Sequence, residues 1–119
     1  MYSKALGDHG EILAEEYLMN HGFKIIAKNF RSKRWGEIDI IAKDGETIVF
    51  VEVKTRSSKR FGNPEEAISY FKVKALKRTV SYYLMQNRIS DVSLRFDVIS
   101  IIKSEGGYKL KYFKNAMEL

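Results

Sequence analysis

Two apolar segments joined by a polar turn form the centre of this sequence, in which residues 36–55 read GEIDIIAKDGETIVFVEVKT. The Asp44-Gly45 pair between two apolar runs is a strong short-range signal for a β-hairpin. Because both arms are apolar at most positions, we expect the hairpin to be buried with a helix on each side. Asp39, Glu52 and Lys54 interrupt this apolar pattern. Since a buried charge is costly unless it is paired or binds a metal ion, these residues are candidates for a functional site.

The length of 119 residues predicts a single domain over residues 1–119. The charge balance favours a partner that carries phosphate. The chain has 21 Lys and Arg against 15 Asp and Glu, a formal net charge of +6. Such an excess is typical of nucleic-acid-binding proteins, although many small basic proteins have it without binding nucleic acid. The sequence contains no cysteine, no signal-peptide pattern and no apolar run of about 20 residues. We therefore expect a cytoplasmic protein with no membrane partner.

Periodicity and turn residues predict the element order αβββαββ. Apolar residues at helical spacing predict a first helix over 4–20. The segment Asn63-Pro64-Glu65-Glu66 combines an N-cap, a proline at the first helical position and two acids, so a second helix should begin there and end near residue 87. Strands are predicted over 23–29, 37–42, 47–55, 93–102 and 108–113. The expected fold class is α/β, a central mixed sheet flanked by two helices.

The register of the central hairpin determines which charged side chains meet. A two-residue loop pairs Asp39 with Phe50, whereas a four-residue loop pairs Asp39 directly with Glu52. Because side chains alternate along a strand, both registers leave Asp39, Glu52 and Lys54 on one face. Only a loop of odd length or a bulge would separate them.

The residue types in this group suit phosphodiester hydrolysis. Two close carboxylates repel each other unless a cation lies between them. Hard oxygen ligands suit Mg²⁺ or Mn²⁺, which take one or two carboxylates together with water and phosphate oxygens. Lys54 could then hold the attacking water or stabilise negative charge that develops during attack on phosphorus. The alternative is a structural ion network of Asp39, Glu52 and Lys54 at the edge of the sheet.

A longer set of residues in fixed order extends this pattern over most of the chain. It comprises Gly10-Glu11, Ala14, Tyr17-Leu18, Gly22-Phe23, Asn29, Gly36-Glu37-Ile38-Asp39, the stretch 50–56, Phe61-Gly62 and Arg95-Phe96-Asp97-Val98. The set resembles the YraN family, small bacterial proteins predicted to be nucleases with the restriction-endonuclease-like PD-(D/E)XK fold. That family is similar to the archaeal Holliday-junction resolvases.

The resemblance implies a Mg²⁺- or Mn²⁺-dependent nuclease that acts on DNA, in branched or single-stranded form, and that forms a homodimer. It implies that Asp39 and Glu52 bind the metal, that the Val53 carbonyl completes the metal shell and that Lys54 is the catalytic lysine. Glu11 matches the first-helix glutamate of the resolvases and would join the catalytic and metal-binding set. The alternative for Glu11 is an exposed acid in the first helical turn. The alternative function is a nucleic-acid-binding module with this fold but without effective catalysis.

Cations flank the hairpin on both sides and predict a rim that contacts phosphates. A lysine on the second helix matches a lysine of the family and is expected to contact phosphate too. The predicted nucleic-acid-binding residues are Arg31, Lys33, Arg34, Arg56, Lys59, Arg60 and Lys72. Trp35 and Phe61 could stack on bases, although Trp35 is more simply explained by packing over the end of a hairpin. Arg95 and Asp97 share one strand face and are expected to form an ion pair.

Overall fold

The computed structural model describes residues 4–57 and 70–119, and within these ranges the side chains of residues 7–57 and 72–119. The elements are α1 (Lys4–Asn20), β1 (Lys24–Ser32), β2 (Gly36–Asp44), β3 (Thr47–Arg56), α2 (Tyr70–Gln86), β4 (Leu94–Ser104) and β5 (Gly107–Met117). The predicted order αβββαββ is confirmed. The predicted helix start at 63–66, together with Lys59, Arg60 and Phe61, lies outside the described residues.

The five strands form one mixed sheet in the order β1-β2-β3-β4-β5. All neighbouring pairs are antiparallel except β3 and β4, which are parallel. Parallel neighbours need a long crossover connection, and the chain between β3 and β4 contains α2. This confirms the expected α/β fold class, and the arrangement is consistent with a restriction-endonuclease-like core.

One helix covers each face of the sheet, because β3 is apolar on both of its faces. Val49, Val51 and Val53 point towards α1 and pack with Ala14 and Leu18. The alternate residues of β3 point towards α2, where Leu76, Val80 and Tyr83 pack with Ile48 and Phe50. Burial of the apolar stripe of each helix therefore fixes the two helices on opposite sides of β3.

The register of the ladder between β2 and β3, continued by one residue beyond its last pair, sets Asp39 opposite Glu52. Its pairs run from Asp44 with Thr47 to Ile40 with Val51, which is the register that was expected of a four-residue loop. The turn itself is shorter, because Asp44 and Thr47 still pair and Gly45 adopts the left-handed conformation with a φ of 64°.

Regular alternation along β2 fails at Asp39. Ile38 packs on the α2 side and Ile40 on the α1 side, although they are only two residues apart. On the neighbouring strand β1, Asn29 lies between the residues that pair with Ile40 and Ile38 and has a φ of 53°. Asparagine tolerates this conformation better than most residues. The local distortion turns the end of β2 away from a flat pleat, next to the candidate site.

Helix α1 approaches β3 closely at Gly10. A Cβ atom at this position would lie 2.2 Å from Thr55 Oγ1, which no real contact allows. Thr55 itself is buried. The absence of a side chain at Gly10 therefore lets α1 dock on the end of β3, and this contact determines where the neighbouring Glu11 lies.

Within the described ranges, neither α1 nor α2 combines the length and the apolar content that a bilayer-spanning helix requires.

Candidate active site

The end of β3 opens into a cavity of about 330 Å³ to which four elements contribute. The cavity is lined by Glu11 from α1, Asp39 from β2, Lys72 from α2, and Glu52, Val53, Lys54, Thr55 and Arg56 from β3. All five residues that the sequence assigned to catalysis or metal binding therefore line one space. Two of the predicted nucleic-acid-binding residues, Arg56 and Lys72, line it as well.

Asp39 and Glu52 form a carboxylate pair at the centre of the cavity. Asp39 Oδ2 accepts a hydrogen bond of 2.7 Å from the Val53 N–H. Burial, and then the negative charge of Glu52, raise the pKa of Asp39 to about 8, although the Val53 N–H opposes the change. Near neutral pH Asp39 therefore keeps its proton unless a cation binds beside it.

Two lysines meet the same oxygen of Glu52. Lys54 Nζ lies 3.3 Å and Lys72 Nζ 2.5 Å from Glu52 Oε2, and Glu52 is buried. Burial lowers the pKa of Lys54, and contact with Lys72 lowers it further. Burial also acts to lower the pKa of Lys72, but hydrogen bonds to Glu52 and Lys54 outweigh it, so that the pKa is raised. Lys72 is thus the firmer counter-ion of Glu52, and Lys54 is the lysine that gives up its proton more easily.

Glu11 faces this group from α1. Burial raises the pKa of Glu11, and the charges of Glu37, Asp8 and Glu52 raise it further. With its amide nitrogen turned towards them, Asn29 donates to Glu11 Oε1 at 3.1 Å and to Glu37 Oε1 at 3.2 Å. The alternative that Glu11 is an acid of the first helical turn is wrong, because α1 begins at Lys4 and its first turn carries no acid.

The donor set fits a hard divalent cation with few protein ligands. Across the residues that the structure describes, no three Asp, Glu or His side chains are arranged to hold a metal ion together. Mg²⁺ commonly binds through one or two carboxylates and keeps several waters. The Asp39–Glu52 pair can supply those two carboxylates, because a cation that displaces the proton of Asp39 removes the repulsion between them.

The predicted phosphate rim is only partly formed by unpaired cations. Arg31 forms a 2.9 Å ion pair with Glu37, and Lys72 is bound to Glu52, whereas Lys33 and Arg34 are exposed on the turn between β1 and β2. Arg56 Nε is buried and meets no hydrogen-bond acceptor among the described residues. A buried donor of this kind is costly to leave unmatched, and Arg56 is one of the residues that line the cavity.

The sequence reading missed three further cations on α2. Lys74, Lys77 and Arg78 follow Lys72 on the helix and are exposed, and the helix contains no acid over Tyr70–Gln86. The signal was present in the sequence as the stretch KVKALKR over 72–78. Arg78 also reaches Trp35 on the turn before β2. The expectation that Trp35 packs over the end of a hairpin stays a prediction.

A second charged cluster lies away from this cavity and is structural. Asp97 is fully buried, and Arg95 Nε donates to its Oδ1 at 3.0 Å, which confirms the predicted ion pair. The Tyr112 hydroxyl and the Asn115 N–H donate to the same carboxylate, and Arg95 also binds Asp44 at 3.1 Å. This cluster ties β4 to β5 and to the hairpin turn. It also explains why β5 extends to Met117, beyond the predicted end at residue 113.

The fold and the cavity together define an α/β protein with a mixed five-stranded sheet, one helix on each face and a cluster of carboxylates and lysines where β2 and β3 separate. The chain belongs to the Uncharacterised protein family UPF0102, whose family model matches residues 10–101. This confirms the resemblance to the YraN family.

Relatives of similar length support this assignment. The chain is 46% identical over 119 residues to a UPF0102 protein of Geobacter metallireducens, which covers 100% of this chain and 97% of that protein. It is 50% identical over 116 residues to a UPF0102 protein of Alkaliphilus oremlandii, covering 96% of this chain and 98% of that protein. A UPF0102 protein of Persephonella marina is 44% identical over 119 residues, with 100% of this chain and 98% of that protein covered.

Proposed function

We propose that this protein is a Mg²⁺- or Mn²⁺-dependent nuclease that hydrolyses phosphodiester bonds in DNA. The observation that carries the proposal is the pairing of two carboxylates in one cavity, where Glu52 is buried and Asp39 is half-buried and held by the Val53 N–H. Burial and the charge of Glu52 raise the pKa of Asp39 to about 8, so that a bound cation would favour its ionised form. A purely structural ion network has no need of two acids that repel each other in a cavity open to solvent. The family resemblance supports the same reaction.

Asp39 and Glu52 would hold the divalent ion, with the Val53 carbonyl and Glu11 as further oxygen donors. When bound, such an ion supplies Lewis-acid chemistry, which activates water and offsets negative charge on a phosphate. Lys54 lies beside Glu52 and can hold the attacking water or stabilise charge on the phosphate oxygens. Arg56 lines the same cavity, and its guanidinium group can donate to a phosphate oxygen.

A nucleic-acid-binding module without effective catalysis is the second candidate. It is favoured by the contacts of Lys54 and Lys72 with Glu52, which neutralise that carboxylate without a metal ion. Both candidates use the same surface. They differ in whether a divalent ion binds and whether phosphodiester bonds are cut.

Cleavage of end-labelled DNA in Mg²⁺, Mn²⁺ and EDTA tests the proposal, with single strands, duplexes, flaps and four-way junctions as substrates. We expect products only with Mg²⁺ or Mn²⁺, and we expect Asp39→Asn and Glu52→Gln each to reduce the rate by at least about 100-fold. The exposed Glu105→Gln serves as the matched control and should keep the activity. If no substrate is cut in either metal ion while the protein still binds DNA, the module without catalysis is the correct function. The homodimer that the resolvase resemblance implies stays a prediction, which light scattering in solution tests.

A further inference from the structure

A second surface of the molecule places an aromatic ring among cations. Trp35, the only tryptophan of the sequence, lies on the turn between β1 and β2. The guanidinium carbon of Arg78 lies 4.3 Å from the centre of its ring system and that of Arg34 lies 5.5 Å away. An open cavity of about 310 Å³ beside the indole is lined by Trp35, Arg78, Ser81, Tyr82 and Met85. We call these five residues and Arg34 the tryptophan surface.

The turn holds Trp35 in a fixed position. The Ser32 hydroxyl is buried and accepts hydrogen bonds from the Trp35 N–H at 2.8 Å and from the Gly36 N–H at 3.2 Å. Gly36 has a φ of 133°, a conformation that favours glycine. The indole is therefore presented by a tied turn and remains half-exposed. A fixed aromatic ring loses little conformational freedom when a flat ligand stacks on it.

The charge around the tryptophan surface suits a polyanion. Lys74 and Arg78 are exposed and lie one helical turn apart on the same side of α2, which carries no acid over Tyr70–Gln86. Arg78 follows Lys72, which lines the candidate active site, by six residues or about 9 Å along the helix axis.

We infer that the tryptophan surface binds an unpaired strand of nucleic acid, with a base stacked on Trp35 and phosphates on Lys74 and Arg78. Single-strand binders combine an aromatic platform with a basic track, and stacking accepts every base. The walls formed by Tyr82 and Met85 are apolar, and Met85 is 68% exposed, so a base would cover surface that now faces water. A blunt duplex keeps its bases stacked inside and can use only the cations.

An unpaired strand bound at the tryptophan surface would be the substrate class of the proposed nuclease. Only the statement that this strand is cut at the candidate active site rests on the proposed nuclease function. Strand binding itself requires no cleavage. It can therefore be measured in EDTA, where the proposed reaction cannot proceed, and the two ideas can fail separately.

The fluorescence of Trp35 reports stacking directly, because no other tryptophan contributes. The probes are a single strand of about 16 nucleotides, the upper end of known site sizes, an abasic strand of equal length and a blunt duplex. We expect the single strand to quench the fluorescence and the abasic strand, which has equal charge but no bases, to leave it nearly unchanged. Trp35→Ala should weaken single-strand binding, measured by anisotropy of a labelled strand, roughly 5- to 100-fold. Trp35→Phe should retain most of the affinity.

Two variants that each remove one positive charge distinguish binding at the tryptophan surface from non-specific electrostatic attraction of nucleic acid. Arg78→Ala should weaken single-strand binding more than Lys109→Ala, which removes an exposed cation from β5. Equal affinity for the abasic strand, stronger binding of the blunt duplex without quenching, or equal effects of the two variants would overturn the inference. Cleavage of DNA without quenching would leave the proposed function standing and refute only the role of Trp35. Quenching without cleavage in any metal ion would support strand binding at Trp35 and refute the proposed nuclease activity.

Discussion

Replacement of Asp39 by asparagine should stabilise the metal-free protein at high pH. The pKa of Asp39 is raised to about 8 by burial and by the charge of Glu52. Between about pH 4 and pH 8 the folded state therefore keeps a proton that the unfolded chain releases, and the free energy of unfolding falls as the pH rises. A neutral amide at this position can still accept the hydrogen bond of the Val53 N–H, but it does not lose stability with pH.

The size of the effect follows from the difference between a pKa of about 8 and the ordinary value of 3.8. At about 1.4 kcal/mol for each pH unit, the upper limit is about 6 kcal/mol. Water in the open cavity screens the charge, and coupling to Glu52 spreads the proton over two groups, so we expect about 1–3 kcal/mol. For a chain of this size that gain corresponds to a rise in melting temperature of roughly 3–15 °C.

Urea and thermal unfolding followed by circular dichroism in EDTA, from pH 4.5 to pH 9, measure this difference. We expect the Asp39→Asn variant to match the original protein near pH 4.5, to exceed it increasingly up to about pH 8 and to keep that advantage at pH 9. Mg²⁺ or Mn²⁺ should stabilise the original protein at pH 8 and leave the variant nearly unchanged. Glu105→Gln, at an exposed turn position, is the control and should change the stability by no more than about 0.5 kcal/mol at any pH. A variant that is less stable than the original protein at pH 9 in EDTA would refute this reasoning.

Three further outcomes are expected. Gly10→Ala should lower the free energy of unfolding by about 1–2 kcal/mol, because overpacking against Thr55 exceeds the gain in helix propensity. Adding Thr55→Ala to the Gly10→Ala variant should recover part of this loss. Denaturant unfolding of the single and double variants measures both effects. Asp97→Ala should cost about 3–5 kcal/mol in the same assay, because it removes the fully buried carboxylate that accepts hydrogen bonds from Arg95, Tyr112 and Asn115. A loss below about 1 kcal/mol would contradict the structural role. The double variant Asp39→Asn, Glu52→Gln should bind DNA in EDTA at least as tightly as the original protein, because repulsion of phosphate is removed. Its affinity for DNA should fall steeply as the salt concentration rises. A loss of DNA binding by the folded variant would contradict the position of the site.

The convergence of Asp39, Glu52 and Lys54 could be predicted because it depends on local rules. The Asp44-Gly45 turn signals the hairpin, and side-chain alternation along β3 places Glu52 and Lys54 on one face. The register stayed open in the sequence between two loop lengths, and tertiary pairing selected the one that sets Asp39 opposite Glu52.

The sequence does not predict two features of the site, the break in alternation of β2 at Asp39 and the contact of Lys72 with Glu52. The break in alternation along β2 depends on Asn29 of the neighbouring strand, whose conformation no pattern in β2 encodes. The contact between Lys72 and Glu52 depends on where α2 crosses the sheet. Local periodicity gives the helix but not its position over β3.

The role of Trp35 shows a different limit. Its neighbour Arg34 is adjacent in sequence, but Arg78 comes from α2, more than forty residues later in the chain. The cations over 72–78 can be recognised in the sequence, whereas their position beside the Trp35 ring depends on the fold.

Binding of Mn²⁺, followed by electron paramagnetic resonance of the free ion, tests most directly whether the Asp39–Glu52 pair is a metal site. We expect binding at pH 8 that weakens towards pH 6, because Asp39 must lose its proton before the ion binds. Asp39→Asn should weaken this binding by about tenfold or more, while Glu46→Gln, an exposed acid of the hairpin turn, should leave it unchanged. Mn²⁺ binding that is equal in the original protein and in Asp39→Asn would contradict the assignment.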